Sequence, residues 1–196
     1  MKPAVFLDRD GTLIEERGYL DRLDLIQPFP WASAALRRLR EAGYALVLVT
    51  NQAGVARGYF DEAFVQEAHR HLAALLEADG VVLDGYYYCP HHPEGTVAEY
   101  RRRCRCRKPG PGMVEQAAAD LGLDVSLSFI VGDKWLDVEL AANAGARGIL
   151  VRTGYGAGTE AAPPARVPVH GVADTLADAV DLILQAPAPG QSGDHD

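Results

Sequence analysis

Two carboxylates one residue apart, Asp8 and Asp10, follow the apolar run Val5-Phe6-Leu7 and lead into Gly11-Thr12. Such an apolar run is what a strand buried on both faces shows. A turn starting at Gly11 would bring both carboxylates to the carboxyl end of a sheet, where ligands bind in open α/β folds. Three more polar groups follow later apolar runs: Thr50-Asn51, Arg107-Lys108 and Asp133. Each has an ordinary explanation by itself. The aspartate pair could cap its own turn, Thr50 could end a strand, Lys108 could be solvated and Asp133 could cap a helix. Together they surround one crevice with anions, a cation and a hydroxyl, which suits phosphoryl transfer. A carboxylate approaches a phosphate dianion only when the charge is neutralised, which calls for Mg²⁺ and an ammonium close by. Mg²⁺ takes oxygen ligands and keeps several waters, so two carboxylates and a carbonyl suffice.

A second constellation lies between them. Cys89, His91, His92, Cys104 and Cys106 give Cys-x-His and Cys-x-Cys spacing, the donor set of a closed tetrahedral Zn²⁺ site. Spacing alone leaves His91 and His92 equal as the fourth ligand. The alternative is a group of buried, unpaired cysteines. Between residues 90 and 103 the apolar help beyond prolines is Val97, Ala98 and Tyr100. Fixing that many backbones costs on the order of 14–28 kcal/mol, and a structural zinc returns about 10–16 kcal/mol. The expected metal is therefore structural, and it delivers Arg107 and Lys108 to the phosphate. The cations of residues 101–108 would offset the thiolates locally.

The elements that must position these groups alternate. Residues 5–7, 45–49, 85–88, 128–131 and 147–151 read as strands. Residues 31–42, a segment N-capped by Asp61 with a core stripe of Val65, Ala68, Leu72 and Leu75, 111–121, 136–144 and 172–184 read as helices. This order predicts a parallel sheet between helix layers, with about two dozen residues between the first strand and its helix. No insertion is long enough for a large cap domain, so the site should be open.

With 196 residues, 48% of them hydrophobic, one domain over residues 1–185 is expected, with a zinc loop at 89–106 and a disordered tail at 186–196. The net charge of -8 argues against general nucleic-acid binding. No apolar run reaches membrane-spanning length, and three clustered cysteines do not suggest a disulfide framework. A monomeric, cytoplasmic protein with neither a nucleic-acid nor a membrane partner is expected.

Residues 8–12 (DRDGT), 49–51 (VTN), 107–109 (RKP) and 132–137 (GDKWLD) resemble, in order and spacing, the four motifs of the haloacid dehalogenase-like phosphatases. The resemblance runs over about residues 4–185 and implies a Rossmann-like three-layer sandwich without a large cap domain. It implies that Asp8 is the nucleophile, forming an aspartyl-phosphate, and Asp10 the general acid and base. Thr50 and Lys108 would hold the phosphoryl oxygens, and Asp8, Asp133 and the Asp10 carbonyl would bind Mg²⁺. CPHHPEG, CRCRKPGPGM, TNQAGVARGYF and VRTG are similar to the heptose 1,7-bisphosphate 7-phosphatase branch. That similarity selects His91 as the zinc ligand with Cys89, Cys104 and Cys106. It also implies contacts to a small phosphorylated sugar from Glu16, Arg17, Gly18, Tyr19, Asn51, Gln52, Ala53, Arg107 and Lys134. Two other functions are considered. One is a phosphatase for histidinol phosphate or another sugar phosphate, and the other is a zinc-stabilised module that binds polyanions without turnover. A cationic amine such as histidinol phosphate suits Arg107, Lys108 and Lys134 less well.

Overall fold

The computed structural model describes residues 1–165 and 167–186. All of the expected tail beyond residue 186 lies outside the described residues. Among those described, six strands form one parallel sheet: β1 (Lys2–Leu7), β2 (Ala45–Asn51), β3 (Gly85–Cys89), β4 (Leu123–Gly132), β5 (Arg147–Val151) and β6 (Gly171–Ala173). Their spatial order is β3-β2-β1-β4-β5-β6. The chain walks outward from β1 to β3, returns to the centre at β4, and walks out the other way. The direction therefore reverses between β1 and β4, and a crevice opens there at the carboxyl ends of the strands.

Alternate strand residues feed two cores. Val5, Leu7, Leu46, Leu48, Phe129, Val131 and Ile149 pack on one side under α1 (Ala32–Glu41), α3 (Glu62–Ala78) and α7 (Leu176–Gln185). Phe6, Val47, Val49 and Ile130 pack on the other under α4 (Gly112–Leu121) and α5 (Trp135–Ala144). Burial on both faces accounts for the unbroken apolar runs. Two short helices, α2 (Ala53–Arg57) and α6 (Gly156–Glu160), sit just after strands β2 and β5.

Most expected elements form, with four differences. Residues Val172 and Ala173 belong to β6, and α7 starts only after Thr175, where Thr175 and Asp178 form a reciprocal capping box. On α3, with Asp61 as its N-cap, the fully buried position is Leu76, while Leu75 is only half-buried. Strand β4 begins at Leu123, well before Ser128. Its polar start (Asp124, Ser126) is masked in the apolar pattern and is joined to β1 across an irregular register, where Ser128 Oγ accepts from the Ala4 amide at 2.9 Å. The two short helices carried no periodic signal, being little more than one turn each.

The register places Leu7 beside Leu48 of β2 and Val131 of β4. Asp8, Thr50 and Asp133 consequently emerge along the same edge. Glycines permit the crowding there. At Gly11, whose φ is +82°, an added Cβ would fall 2.3 Å from Asp133 Oδ2, and at Gly132 it would fall 2.2 Å from Asp137 Cγ.

Candidate active site

The floor of the crevice is an ionic cluster. Lys108, only 4% exposed, donates from Nζ to Asp8 Oδ1 at 2.7 Å, to Asp137 Oδ1 at 2.6 Å and to the Val49 carbonyl at 3.1 Å. All three of its donor positions are thereby used. Burial opposes its charge, but Asp137 and Asp8 outweigh that and raise its pKa. The amide of Asn51 grips the backbone of the same lysine from both sides. Its Oδ1 accepts from the Lys108 N–H at 3.0 Å, and its Nδ2 donates to the Lys108 carbonyl at 3.3 Å.

Asp133 is fully buried. Its Oδ2 accepts from the Tyr155 amide at 2.8 Å, Oδ1 has no hydrogen-bond partner, and Lys134 Nζ stands 3.5 Å away. Burial first, and Asp8 second, push its carboxyl up to about 7. Asp137 is pushed up to about 6 by burial, against the pull of Lys108. Asp8, Asp133 and Asp137 offer oxygens that all lie within 4.8 Å of one another. Three buried carboxylates share the ammonium of Lys108 and, at its edge, that of Lys134, which leaves one negative charge uncompensated, and Asp133 Oδ1 accepts no hydrogen bond. The residues present fit a hard divalent cation such as Mg²⁺.

Asp10 stands apart from this cluster. Arg9 holds it with Nε on Oδ2 and Nη2 on Oδ1, both at 3.1 Å, and Gln52 Nε2 reaches Oδ2 at 3.3 Å and Thr50 Oγ1 at 2.9 Å. The Gln52 side chain is thus occupied within the protein, although the residue lines the cleft.

Above the floor is a cleft of about 310 Å³, walled by Glu16, Gly18, Tyr19, Asn51, Ala53, Arg107 and Lys134 and also by Phe60 and Tyr155. Glu16 accepts from the Gly18 amide at 2.6 Å and faces Lys134 at 3.4 Å. The Lys134 ammonium lies over the Tyr155 ring, 4.5 Å from its centre. Its pKa is raised because Asp133, Asp8 and Glu16 outweigh the cost of burial. Arg17 is not brought to the cleft; its guanidinium pairs with Glu15 and Gln27.

The cysteine loop is a second cluster. Its sulfurs lie 3.2–3.5 Å apart, too far for disulfides, and His91 Nδ1 is 3.4 Å from Cys106 Sγ and 3.7 Å from Cys89 Sγ. The four residues offer ligand atoms within 4.8 Å of one another. His92 faces away, with Nε2 3.5 Å from Arg57. Burial pushes the Cys89 and Cys106 thiols up. Burial would raise Cys104 too, but hydrogen bonds from Cys106 and Cys89 hold it below the usual value. Three sulfurs and an imidazole nitrogen gathered this closely are a donor set that fits Zn²⁺. Direct protein contacts also fasten the loop. Val97 donates to the Ala56 carbonyl at 2.9 Å, and Tyr100 and Tyr88 donate their hydroxyls to Glu62 at 2.9 and 2.5 Å. The loop therefore has more protein support than its apolar content suggests. Arg107 donates to the His91 carbonyl at 3.2 Å, which ties the cleft wall to the cluster.

Three participants escape a motif-by-motif reading. Asp137 was within reach as the second acid of GDKWLD, whereas Arg9 and Tyr155 carry no signal of their own. A parallel sheet with an ionic, metal-fitting cluster at its switch point, without a large cap domain, defines a haloacid dehalogenase-like hydrolase. Residues 105–179 match the family described as HAD-hydrolase-like, and residues 3–138 match that described as polynucleotide kinase 3 phosphatase. A Haemophilus ducreyi protein named D-glycero-beta-D-manno-heptose-1,7-bisphosphate 7-phosphatase is 47% identical over 89% of this chain and 97% of its own. The Escherichia coli K12 protein of that name is 42% identical over 96% and 97%. The D,D-heptose 1,7-bisphosphate phosphatase of B. bronchiseptica, solved with magnesium and phosphate, superposes with a TM-score of 0.80 at 34% identity, covering 94% of this chain and 99% of that one. This chain belongs to the D-glycero-β-D-manno-heptose-1,7-bisphosphate 7-phosphatase family.

Proposed function

We propose that the chain hydrolyses the 7-phosphate of D-glycero-β-D-manno-heptose 1,7-bisphosphate, leaving the heptose 1-phosphate. The observation that carries this reading is the buried Asp8–Lys108–Asp137 chain at the cleft floor, with Arg107 and Lys134 on the wall above it. One phosphate has a nucleophile and an ammonium at the floor, and a second phosphate has cations within the same cleft.

In the first step a carboxylate oxygen of Asp8 attacks phosphorus and the bond to the sugar oxygen breaks. Asp10 gives its proton to the departing alkoxide. In the second step Asp10 takes a proton from water as that water attacks the aspartyl-phosphate, releasing phosphate and restoring Asp8. Thr50 and Lys108 hold the phosphoryl oxygens, and Asp137 and Asn51 keep Lys108 in place. Asp8, Asp133 and the Asp10 carbonyl would hold Mg²⁺, which neutralises charge between nucleophile and phosphate. Asp137, inside the same acidic group, serves Lys108. Cys89, His91, Cys104 and Cys106 would hold a structural Zn²⁺. The sugar would be met by Glu16, Gly18, Tyr19, Ala53 and Lys134, and its 1-phosphate by Arg107. Arg17 would need to leave Glu15 to take part. The working unit would be one domain over residues 1–185, monomeric and cytoplasmic, acting without nucleic acid or membrane. Among the described residues no helix is long and apolar enough to cross a membrane.

The test is phosphate release, with Mg²⁺ and with chelator, from both anomers of the bisphosphate, from histidinol phosphate and from a 3′-phosphorylated oligonucleotide. Histidinol phosphate has no second anion. Loss of one charge-assisted contact, about 1.5–3 kcal/mol, should lower its kcat/KM by roughly 10–100-fold. A preference for histidinol phosphate or the oligonucleotide, or turnover that survives chelation, overturns the reading.

A further inference from the structure

Arg9 is a buried cation, 3% exposed, that the proposed reaction does not use. Burying a guanidinium is costly unless it is paired, so its partner has to be explained. That partner is Asp10, held through the parallel fork of Nε and Nη2. Arg9 Nη2 also donates to Gln52 Oε1 at 3.2 Å, and Gln52 returns its own Nε2 to Asp10 Oδ2 at 3.3 Å. The three side chains close a ring. Local folding does not require this. The backbone carbonyl of Arg9, accepting from the Leu13 and Ile14 amides, shapes the turn whatever side chain is attached.

The ring accounts for three hydrogen bonds on a carboxylate with about four lone-pair positions, leaving room for one more. The Asp10 side chain is 14% exposed and lines the cleft. Its carboxylate is therefore locked in plane and rotamer by protein, with one position left for a proton. A general acid must meet the leaving oxygen within hydrogen-bond reach, and a loop aspartate free to rotate would do so only part of the time.

We infer that Arg9, with Gln52 closing the ring, is the positioning residue for Asp10. The inference rests on the acid–base role proposed for Asp10. The chemistry predicts a split that a purely structural role would not produce. p-Nitrophenyl phosphate has a weakly basic leaving group that needs no proton, whereas the sugar phosphate leaves as an alkoxide. The ratio kcat/KM reports steps up to formation of the aspartyl-phosphate, while kcat includes its hydrolysis, where Asp10 must activate water for either substrate.

The experiment compares Arg9→Met, Arg9→Lys, Asp10→Asn and the parent protein on heptose bisphosphate and p-nitrophenyl phosphate, with Mg²⁺ present. For Arg9→Met, kcat/KM on the sugar phosphate should fall by about 10²–10³-fold, within the range of general acid–base catalysis. On the aryl phosphate, kcat/KM should stay within about threefold while kcat falls, so KM falls with it. Retained aryl kcat/KM also certifies the fold. Arg9→Lys keeps a buried cation without the fork, serves if the Met variant does not fold, and should show the same split to a smaller degree. Equal losses of kcat/KM on both substrates in the Arg9 variants, with Asp10→Asn still separating them, overturn the positioning role. If Asp10→Asn does not separate them, the acid–base role falls first and the inference with it.

Discussion

Two clusters in this molecule gather groups that could ligate a metal, and they are built in opposite ways. Asp8 and Asp133 stand just past the ends of a sheet whose two cores hold the strands in register, and Lys108 reaches them from the segment between β3 and α4. That cluster has an internal cation and opens into a cleft. The thiol cluster joins Cys89, the last residue of β3, to His91, Cys104 and Cys106 in the segment after it, where, among the described residues, no strand or helix intervenes before α4. Its sulfurs lie beside one another and His91 and pack against the core under α4, and the Arg102 guanidinium meets the cluster through the His91 ring at 2.6 Å. The first is positioned by the fold and left open for chemistry. The second is closed, and it lies in the loop that carries Arg107 and Lys108 to the first.

The comparison breaks first at Asp8. Asp8→Asn should lower phosphate release by on the order of 10⁴–10⁶-fold, with zinc content and melting temperature nearly unchanged, as read by phosphate assay, metal analysis and calorimetry. Coupled loss of zinc would show that the two clusters are not independent in that direction.

In the other direction coupling is expected. Cys104→Ser should lower zinc content and raise KM for the bisphosphate by roughly 10–100-fold through a loosened Arg107, with a smaller effect on kcat. Unchanged kinetics in a zinc-depleted variant would mean that the Glu62, Ala56 and His91 contacts hold the loop unaided.

The smallest effect sharpens both measurements. His69 on α3 is buried beside Tyr86 and Tyr88, and its pKa is pushed down to about 3, by burial first and by Arg9 second. Between that value and about 6.5 the unfolded chain binds a proton that the folded chain does not. Stability is therefore complete above pH 6.5 and lost as pH falls, by up to about 1.4 kcal/mol per unit. In urea melts at pH 7 and pH 5, His69→Phe should flatten that slope. A slope unchanged by the substitution would assign the acid limb to the clusters themselves.

Much of this arrangement was legible along the chain. Val5-Phe6-Leu7 ending in Asp8, Gly122 closing α4 and Asp61 opening α3 are local signals, and each element forms where they place it. Strand β6 was not legible, because three residues have no period, and neither was the choice between Leu75 and Leu76, which depends on how α3 lies on the sheet. At the site, Gln52 and Asn51 read as substrate contacts and line the cleft, and their amides also hold Asp10 and Lys108. Residue type could not reveal this, because an amide that faces a ligand and one that holds a backbone are the same residue.

What the amino-acid sequence settled alone is the inventory of chemistry: carboxylates, one lysine, a hydroxyl, three thiols and an imidazole, each a property of its side chain and near neighbours. What tertiary structure decided is which of them meet. Lys108 lies 100 residues from Asp8 and 29 from Asp137, yet its ammonium is shared between them. The physical reason is that strand order and register, set by burial of apolar faces far from any charge, choose the neighbours of every group at the sheet's edge.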